Sequence, residues 1–155
     1  MESHSHFNEL LEVFEKYKVR YLIVGGYAVM LYTEPRWTKK LDIWVEPTKE
    51  NSEQVYRSLL EFGAPLQGCS AADFQKEGMV YQMGAPPLRV DIIMSLEALT
   101  FDAAWAGRRE AELFGRQVAF LGPDDLLRNK RAVGRHIDLH DAASLEQIVR
   151  KHRPK

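Results

Sequence analysis

Cysteine is almost absent: Cys69 stands alone among 155 residues, so no internal disulfide can form, which fits a reducing cytosol. In Gln67-Gly68-Cys69-Ser70 it has no basic neighbour to favour the thiolate, which argues against a catalytic thiol. No apolar run is long enough to span a bilayer. The longest, Tyr21 to Tyr32, is short and broken by Gly25-Gly26. The start, Met1-Glu2-Ser3-His4-Ser5-His6, lacks the basic and apolar regions of a signal peptide. Neither sign of charge dominates, since the net charge is −1, so nothing pulls the whole molecule toward nucleic acid or membrane. Contact with RNA would have to come from a local patch. Repeats, low-complexity tracts and linkers are also missing. The expectation is a soluble cytoplasmic protein of one domain, with a core over about 1–121 and a helical segment over about 122–155.

What is present reads as mixed α/β. Apolar residues at Phe7, Leu10, Leu11, Phe14 and Tyr17 follow the helical period over Phe7–Lys18. Arg20–Val24 reads as a buried strand, after which Gly25-Gly26 turns the chain into a helix over Tyr27–Tyr32 that Pro35 ends. Leu41–Val45 is a second strand. Thr48 is placed to cap a helix whose stripe Val55, Leu59, Leu60, Phe62 stops at Gly63. An irregular stretch follows over Ala64–Lys76, with one short helix. Met79–Met83 and Leu88–Met94 read as strands joined through Gly84-Ala85-Pro86-Pro87, and Phe101–Ala106 as a helical turn. Glu112–Phe114 and Gln117–Leu121 suit a hairpin about Gly115-Arg116. Helices over Pro123–Val133 and Ile137–Lys151 complete the chain.

Asp42 and Asp91 lie at the centres of two of these apolar strands. An ionised aspartate is rarely buried there unless it is paired or holds a metal ion. The two-residue period puts positions 40 and 42 on one face, and Asp91 on a neighbouring strand can join them. A glycine turn followed by acidic strands is the layout of an enzyme that holds a nucleoside triphosphate through magnesium. Three carboxylates so placed would bind two Mg²⁺ (or Mn²⁺) ions, one activating the attacking hydroxyl and the other stabilising the leaving pyrophosphate. Position 40, however, is Lys40.

These residues resemble the nucleotidyltransferase fold superfamily: apolar strand, Gly-Gly or Gly-Ser, Asp-x-Asp on the next strand, and a later third Asp. The resemblance is strongest to small bacterial nucleotidyltransferase-like proteins with an Arg-x-Thr-x-Asp-x-Asp run, some of toxin–antitoxin type. The matching segments are Val24-Gly25-Gly26-Tyr27-Ala28, Arg36-Trp37-Thr38-Lys39-Lys40-Leu41-Asp42 and Arg89-Val90-Asp91-Ile92. Asp125 to Lys130 and Gly134 to Asp141 look like that group's C-terminal helices. The resemblance implies a short mixed sheet flanked by helices and transfer of a nucleoside monophosphate from a triphosphate such as ATP to a hydroxyl. The acceptor it implies is a tRNA or other RNA 3′ end, or a partner protein. By position it makes Asp42 and Asp91 metal ligands, with Asp91 also acting on the acceptor hydroxyl. Gly25, Gly26, Arg36, Thr38 and Lys130 become nucleotide-binding residues.

Lys40 departs from that pattern where a shared metal ligand is expected. The change shifts local charge by two units, and an ammonium there repels a divalent ion by several kcal/mol at an effective dielectric of about 20. It can instead pair with Asp42 and Asp91. A folded protein with weak magnesium binding and little or no transfer is expected. The rest of the set is intact, which points to one replacement, natural or introduced, in an otherwise competent scaffold. The competing class is a non-catalytic module that binds a nucleotide or a partner in the same cleft; a metal-dependent hydrolase is a third.

Weaker signals remain. His136 and His140 lie one helical turn apart, but surface histidines flanking a buried Ile137/Leu139 pattern account for them better than zinc. Asp138 and Asp141 would brace the last helices against Arg131 or Arg135. Basic clusters at Arg108-Arg109, Arg128–Arg131, Arg135 and Arg150–Lys155 read as solvated faces before they read as an RNA track. Trp37 and Trp44 are candidates for base stacking or for packing.

Overall fold

The apolar runs around the two aspartates become neighbouring strands. A computed structural model describes residues 2–84 and 89–152. Its strands are β1 (Tyr21–Val24), β2 (Lys40–Val45), β3 (Val80–Met83), β4 (Arg89–Ile93), β5 (Arg109–Leu113) and β6 (Arg116–Phe120). They form one mixed sheet of order β3-β4-β2-β1-β6-β5. The β4–β2 and β1–β6 pairs are parallel, and the other pairs antiparallel. Helices α1 (Glu2–Lys16), α2 (Gly25–Tyr32), α3 (Lys49–Phe62), α4 (Phe101–Ala106), α5 (Pro123–Val133) and α6 (His136–His152) pack around it, as the mixed α/β reading expects.

The sheet's centre is dry because its strands carry large apolar side chains at alternating positions. Ile23, Leu41, Ile43 and Ile92 share one face and are wholly buried, as are Phe14 of α1 and Leu59 of α3. The same alternation puts Lys40, Asp42 and Trp44 on the other face of β2, and residues of α5 and α6 line a cleft together with Lys40 and Asp42.

Helix ends follow their sequence signals. Thr48 Oγ1 accepts from the Asn51 N–H at 3.3 Å, and Gly63 closes α3 in the left-handed region at φ 90°. Asn51 is buried and latches the start of α3 to the strands: its side chain accepts from the Arg20 N–H and donates to the carbonyls of Arg20 and Glu46. Thr48→Ala should cost about 1 kcal/mol, the usual worth of such a cap, measured by urea unfolding.

Several expectations are corrected. Leu60, placed on the buried stripe of α3, is 56% exposed. The α6 pattern fails likewise: Ile137 and Leu139 are exposed, and buried Asp138 lies between them. The cause is a polar contact that outranks hydrophobicity there, since Asp138 turns inward to meet Lys130 and Arg135. The hairpin turns at Phe114-Gly115, one residue earlier than expected, with both residues at positive φ (55° and 80°), the twist that a two-residue turn needs. The expected strand start at Leu88 and the Ala85-Pro86-Pro87 part of the link lie outside the described residues, as does the end of the basic tail.

Candidate functional site

Parallel pairing in register sets Asp42 directly beside Asp91, while antiparallel pairing on the other side sets Val24 opposite Asp42. Gly25 follows Val24, so the glycine turn lands on the carboxylate. Gly25 has φ +67°, and a Cβ built on it would lie 2.0 Å from Asp42 Oδ2. Its missing side chain is therefore filled by Asp42. Gly25 and Gly26 are the first residues of α2 rather than a separate turn, and Val24 at the N-cap makes no side-chain cap hydrogen bond. The first N–H groups of α2 thus lack a side-chain cap at the head of the cleft.

Lys40 occupies the space between the carboxylates. Its Nζ lies 3.4 Å from Asp42 Oδ1 and 3.6 Å from Asp91 Oδ2, as its sequence position predicts. Arg89, two residues before Asp91 on the same strand, approaches from the other side with Nε 3.1 Å from Asp91 Oδ1. That N–H is not aimed at the oxygen, so buried Oδ1 has no hydrogen-bond partner among the described residues. Thr38 bridges the backbone of Lys40, its Oγ1 accepting from the N–H and donating to the carbonyl, each at 3.3 Å.

Arg36 and Lys130 converge on the cleft but are tied to α6. Arg36 makes a two-pronged pair with Asp141 at 2.7 and 3.2 Å. Lys130 Nζ, buried, reaches Asp138 at 3.3 Å and Asp141 at 3.5 Å. Asp138 also pairs with Arg135 at 2.6 Å. The expected brace against Arg135 is present for Asp138 only; Asp141 pairs with Arg36 and Lys130, and Arg131 pairs with Glu146. The other basic clusters are paired locally too: Arg108 with Glu110, Arg128 with Asp125 and Arg150 with Glu146.

These groups wall a cleft of about 470 Å³, the size of a small-molecule site. Its charged lining balances: Arg36, Lys40, Lys130 and Arg135 against Asp42, Asp91, Glu97 and Asp138. Val80, Leu96, Val133 and Ile137 form an apolar rim. A hollow of about 480 Å³ beside Trp44 and Phe101 is as large, but its only ionisable lining residues are Glu77 and Glu97, so charge rather than volume distinguishes the cleft. Trp44 shares the alternation of Asp42 yet is buried edge-to-face on Phe101 at 5.1 Å, which makes it a packing residue. Trp37, in contrast, is 82% exposed on the loop between Arg36 and Thr38.

The grouping of Asp42, Asp91, Lys40 and the glycine pair was legible in the sequence, whereas their partners were not. Arg89 carried a usable signal, the two-residue strand period from Asp91. Asp141 carried none that could pair it with Arg36, 105 residues away.

Burial raises the Asp42 carboxyl from its ordinary 3.8 to about 6, against the opposing pull of the Lys40 ammonium, while Asp91 adds a smaller push upward. The folded protein holds this proton more tightly than the unfolded chain. The stability it contributes is therefore complete below about pH 3.8 and is lost as pH rises through about 6. Asp42→Asn should accordingly gain stability relative to the parent between those pH values, and a ¹³C titration of the Asp42 carboxyl should have its midpoint near 6.

Could this donor set hold the metals expected of three carboxylates? Among the described residues no group of three or more Asp, Glu, His or Cys side chains is placed to hold a metal ion. Two carboxylates with an ammonium between them do not fit a two-magnesium centre.

No protein-family model matches the chain, and no curated protein matches it by sequence. Its fold does match solved structures. A lincosamide antibiotic adenylyltransferase, LnuA, solved with lincomycin bound, superposes with a TM-score of 0.61 at 16% identity, covering 93% of this chain and 96% of that one. ANT(2″)-Ia in complex with adenylyl-2″-tobramycin gives 0.62 at 13% identity, covering 96% and 94%. An antigenic nucleotidyltransferase-like protein from Paracoccidioides brasiliensis gives 0.55 at 14% identity, covering 97% and 77%. The chain has the nucleotidyltransferase fold. No helix among the described residues is long and apolar enough to cross a membrane.

Proposed function

We propose that this chain is a nucleotidyltransferase-type protein whose cleft receives a nucleoside triphosphate, and whose transfer of the monophosphate to a hydroxyl is impaired by Lys40. The observation that carries this reading is Asp42 and Asp91 side by side under the Gly25-Gly26 end of α2. In the transfer, an acceptor oxygen forms a bond to the α-phosphorus. The bond from that phosphorus to the β-phosphate oxygen breaks, and pyrophosphate leaves. Asp91, which pairs directly with Asp42 in the cleft wall, is by the sequence resemblance the group to take the acceptor proton. Arg36, Thr38 and Lys130, which line the same cleft, would contact the phosphates.

The impairment follows from the ammonium. At 3.4 and 3.6 Å it pairs with the two carboxylates that would otherwise hold Mg²⁺ or Mn²⁺, and repels a divalent ion there. The same position favours a second reading, a non-catalytic module that binds a nucleotide or partner in this cleft. For the acceptor we propose an RNA 3′ end such as that of tRNA, or a protein hydroxyl, in a toxin–antitoxin setting, which the sequence resemblance supports. The antibiotics named for two similar structures add a small hydroxylated molecule to the candidates.

The test compares this chain with Lys40→Asp, each given Mg²⁺ or Mn²⁺, the four α-labelled nucleoside triphosphates, and tRNA, cell protein or hydroxylated antibiotics. Transfer by the aspartate form at least about 100-fold faster than by the parent is expected, equivalent to about 2.7 kcal/mol of barrier. Label on no acceptor with either form would favour the binding module.

A further inference from the structure

We propose that Lys40 is a built-in cation that takes the place of a divalent metal ion, so that this chain binds the phosphate chain of a nucleoside triphosphate without any metal. The inference rests on the reading of the cleft as a nucleotide site and says how that site works with lysine at position 40. Three observations carry it. Charge comes first: the four cations and four carboxylates of the cleft wall balance, whereas an aspartate at position 40 would leave an excess of two negative charges, the charge that one divalent ion offsets. Reach comes second. Lys40 Nζ sits within 3.6 Å of both carboxylates while its side chain stays 41% exposed, so the ammonium touches the aspartates and the open cleft together. The third is the start of α2 beside Asp42 and Thr38, where the first N–H groups have no side-chain cap, a setting that favours a phosphate oxygen. A lysine ammonium is a compact cation with three donors that suits phosphate oxygens.

Lys40 therefore changes the requirement for metal, which is a different matter from loss of the site. The phosphates meet a fixed ammonium, with Arg36 and Lys130 further along the cleft. The nucleotide is expected to bind as the free anion, and added magnesium, which pairs with the phosphates in solution, is expected to weaken binding.

Equilibrium dialysis of labelled ATP in excess EDTA tests this, with melting curves to establish that each variant is folded. The parent and Lys40→Arg should bind in EDTA, and Mg²⁺ should not tighten the parent's binding. Lys40→Gln should bind at least about tenfold more weakly, about 1.4 kcal/mol. Lys40→Asp should bind only when Mg²⁺ is present. Inorganic triphosphate should displace ATP, and adenosine should not. Binding by the parent only with Mg²⁺, or equal binding by a folded Lys40→Gln, would overturn the proposal. So would displacement by adenosine as effective as that by triphosphate. If the parent fails to bind in EDTA while Lys40→Asp binds with Mg²⁺, the inference fails and the nucleotide reading stands. If no form binds under any condition, both fail.

Discussion

Replacing Lys40 by aspartate is expected to lower the stability of the metal-free protein by about 2–3 kcal/mol and to make that stability depend on divalent cation. Lys40 holds two carboxylates at 3.4 and 3.6 Å, but its side chain is 41% exposed, so the ion pairs themselves are worth about 1 kcal/mol after screening. The rest comes from what replaces it. Asp42 and Asp91 are largely buried, and a third carboxylate beside them adds repulsion to a site where burial already raises the Asp42 carboxyl to about 6. Manganese should restore the loss, because a ligand at about a hundred times its dissociation constant stabilises the folded state by about 2.7 kcal/mol. Urea unfolding with and without Mn²⁺ measures both effects. A Lys40→Asp protein as stable as the parent without metal, or a parent that Mn²⁺ stabilises, would count against this account.

Gly25→Ala is the second large effect, with an expected loss of about 2–4 kcal/mol. Two costs combine. A left-handed φ of +67° strains any residue with a Cβ, and the new methyl group would stand 2.0 Å from Asp42 Oδ2, far inside contact distance. Either the carboxylate rotates away from Lys40 or α2 shifts from β2. Gly26 gives the contrast: its φ is not positive, and a Cβ there meets Thr38 Oγ1 at 3.4 Å, which the threonine can accommodate. Gly26→Ala should cost less than about 1 kcal/mol. The two glycines of the pair therefore do different work. Because the clash lies mostly with the Asp42 carboxyl group, whose Oδ2 and Cγ stand 2.0 and 2.9 Å away, the cost of Gly25→Ala should fall in an Asp42→Ala background, leaving the backbone strain and a tight 3.0 Å contact with the Cβ of residue 42. Equal costs for the two glycine variants would contradict this packing.

How far the sequence could be read depended on the range of each interaction. Local rules were reliable: the Thr48 cap, the Gly63 stop and the Pro123–Val133 helix follow from residues close in the chain. The adjacency of Asp42 and Asp91 was also legible, since two centred aspartates on apolar strands have few other places to go. Hydrophobic period failed where charge pairs decided the outcome, although their members lie only three and eight residues apart in the chain. Ile137 and Leu139 face outward because Asp138 is held inward by Lys130 and Arg135. The Arg36–Asp141 pair spans 105 residues and leaves no trace in either local segment. Trp44 shows the limit of the strand rule: alternation gives it the face of Asp42, but the position of α4 decides that this end of the face is covered.

The most direct measurement is a Mn²⁺ titration of the protein with Lys40 in place, following free Mn²⁺ by electron paramagnetic resonance. The account predicts no saturable binding below about 1 mM, and tighter binding once Lys40 is replaced by aspartate. Stoichiometric uptake of one or two ions by the lysine form would contradict it, because the ammonium could not then occupy the space between Asp42 and Asp91.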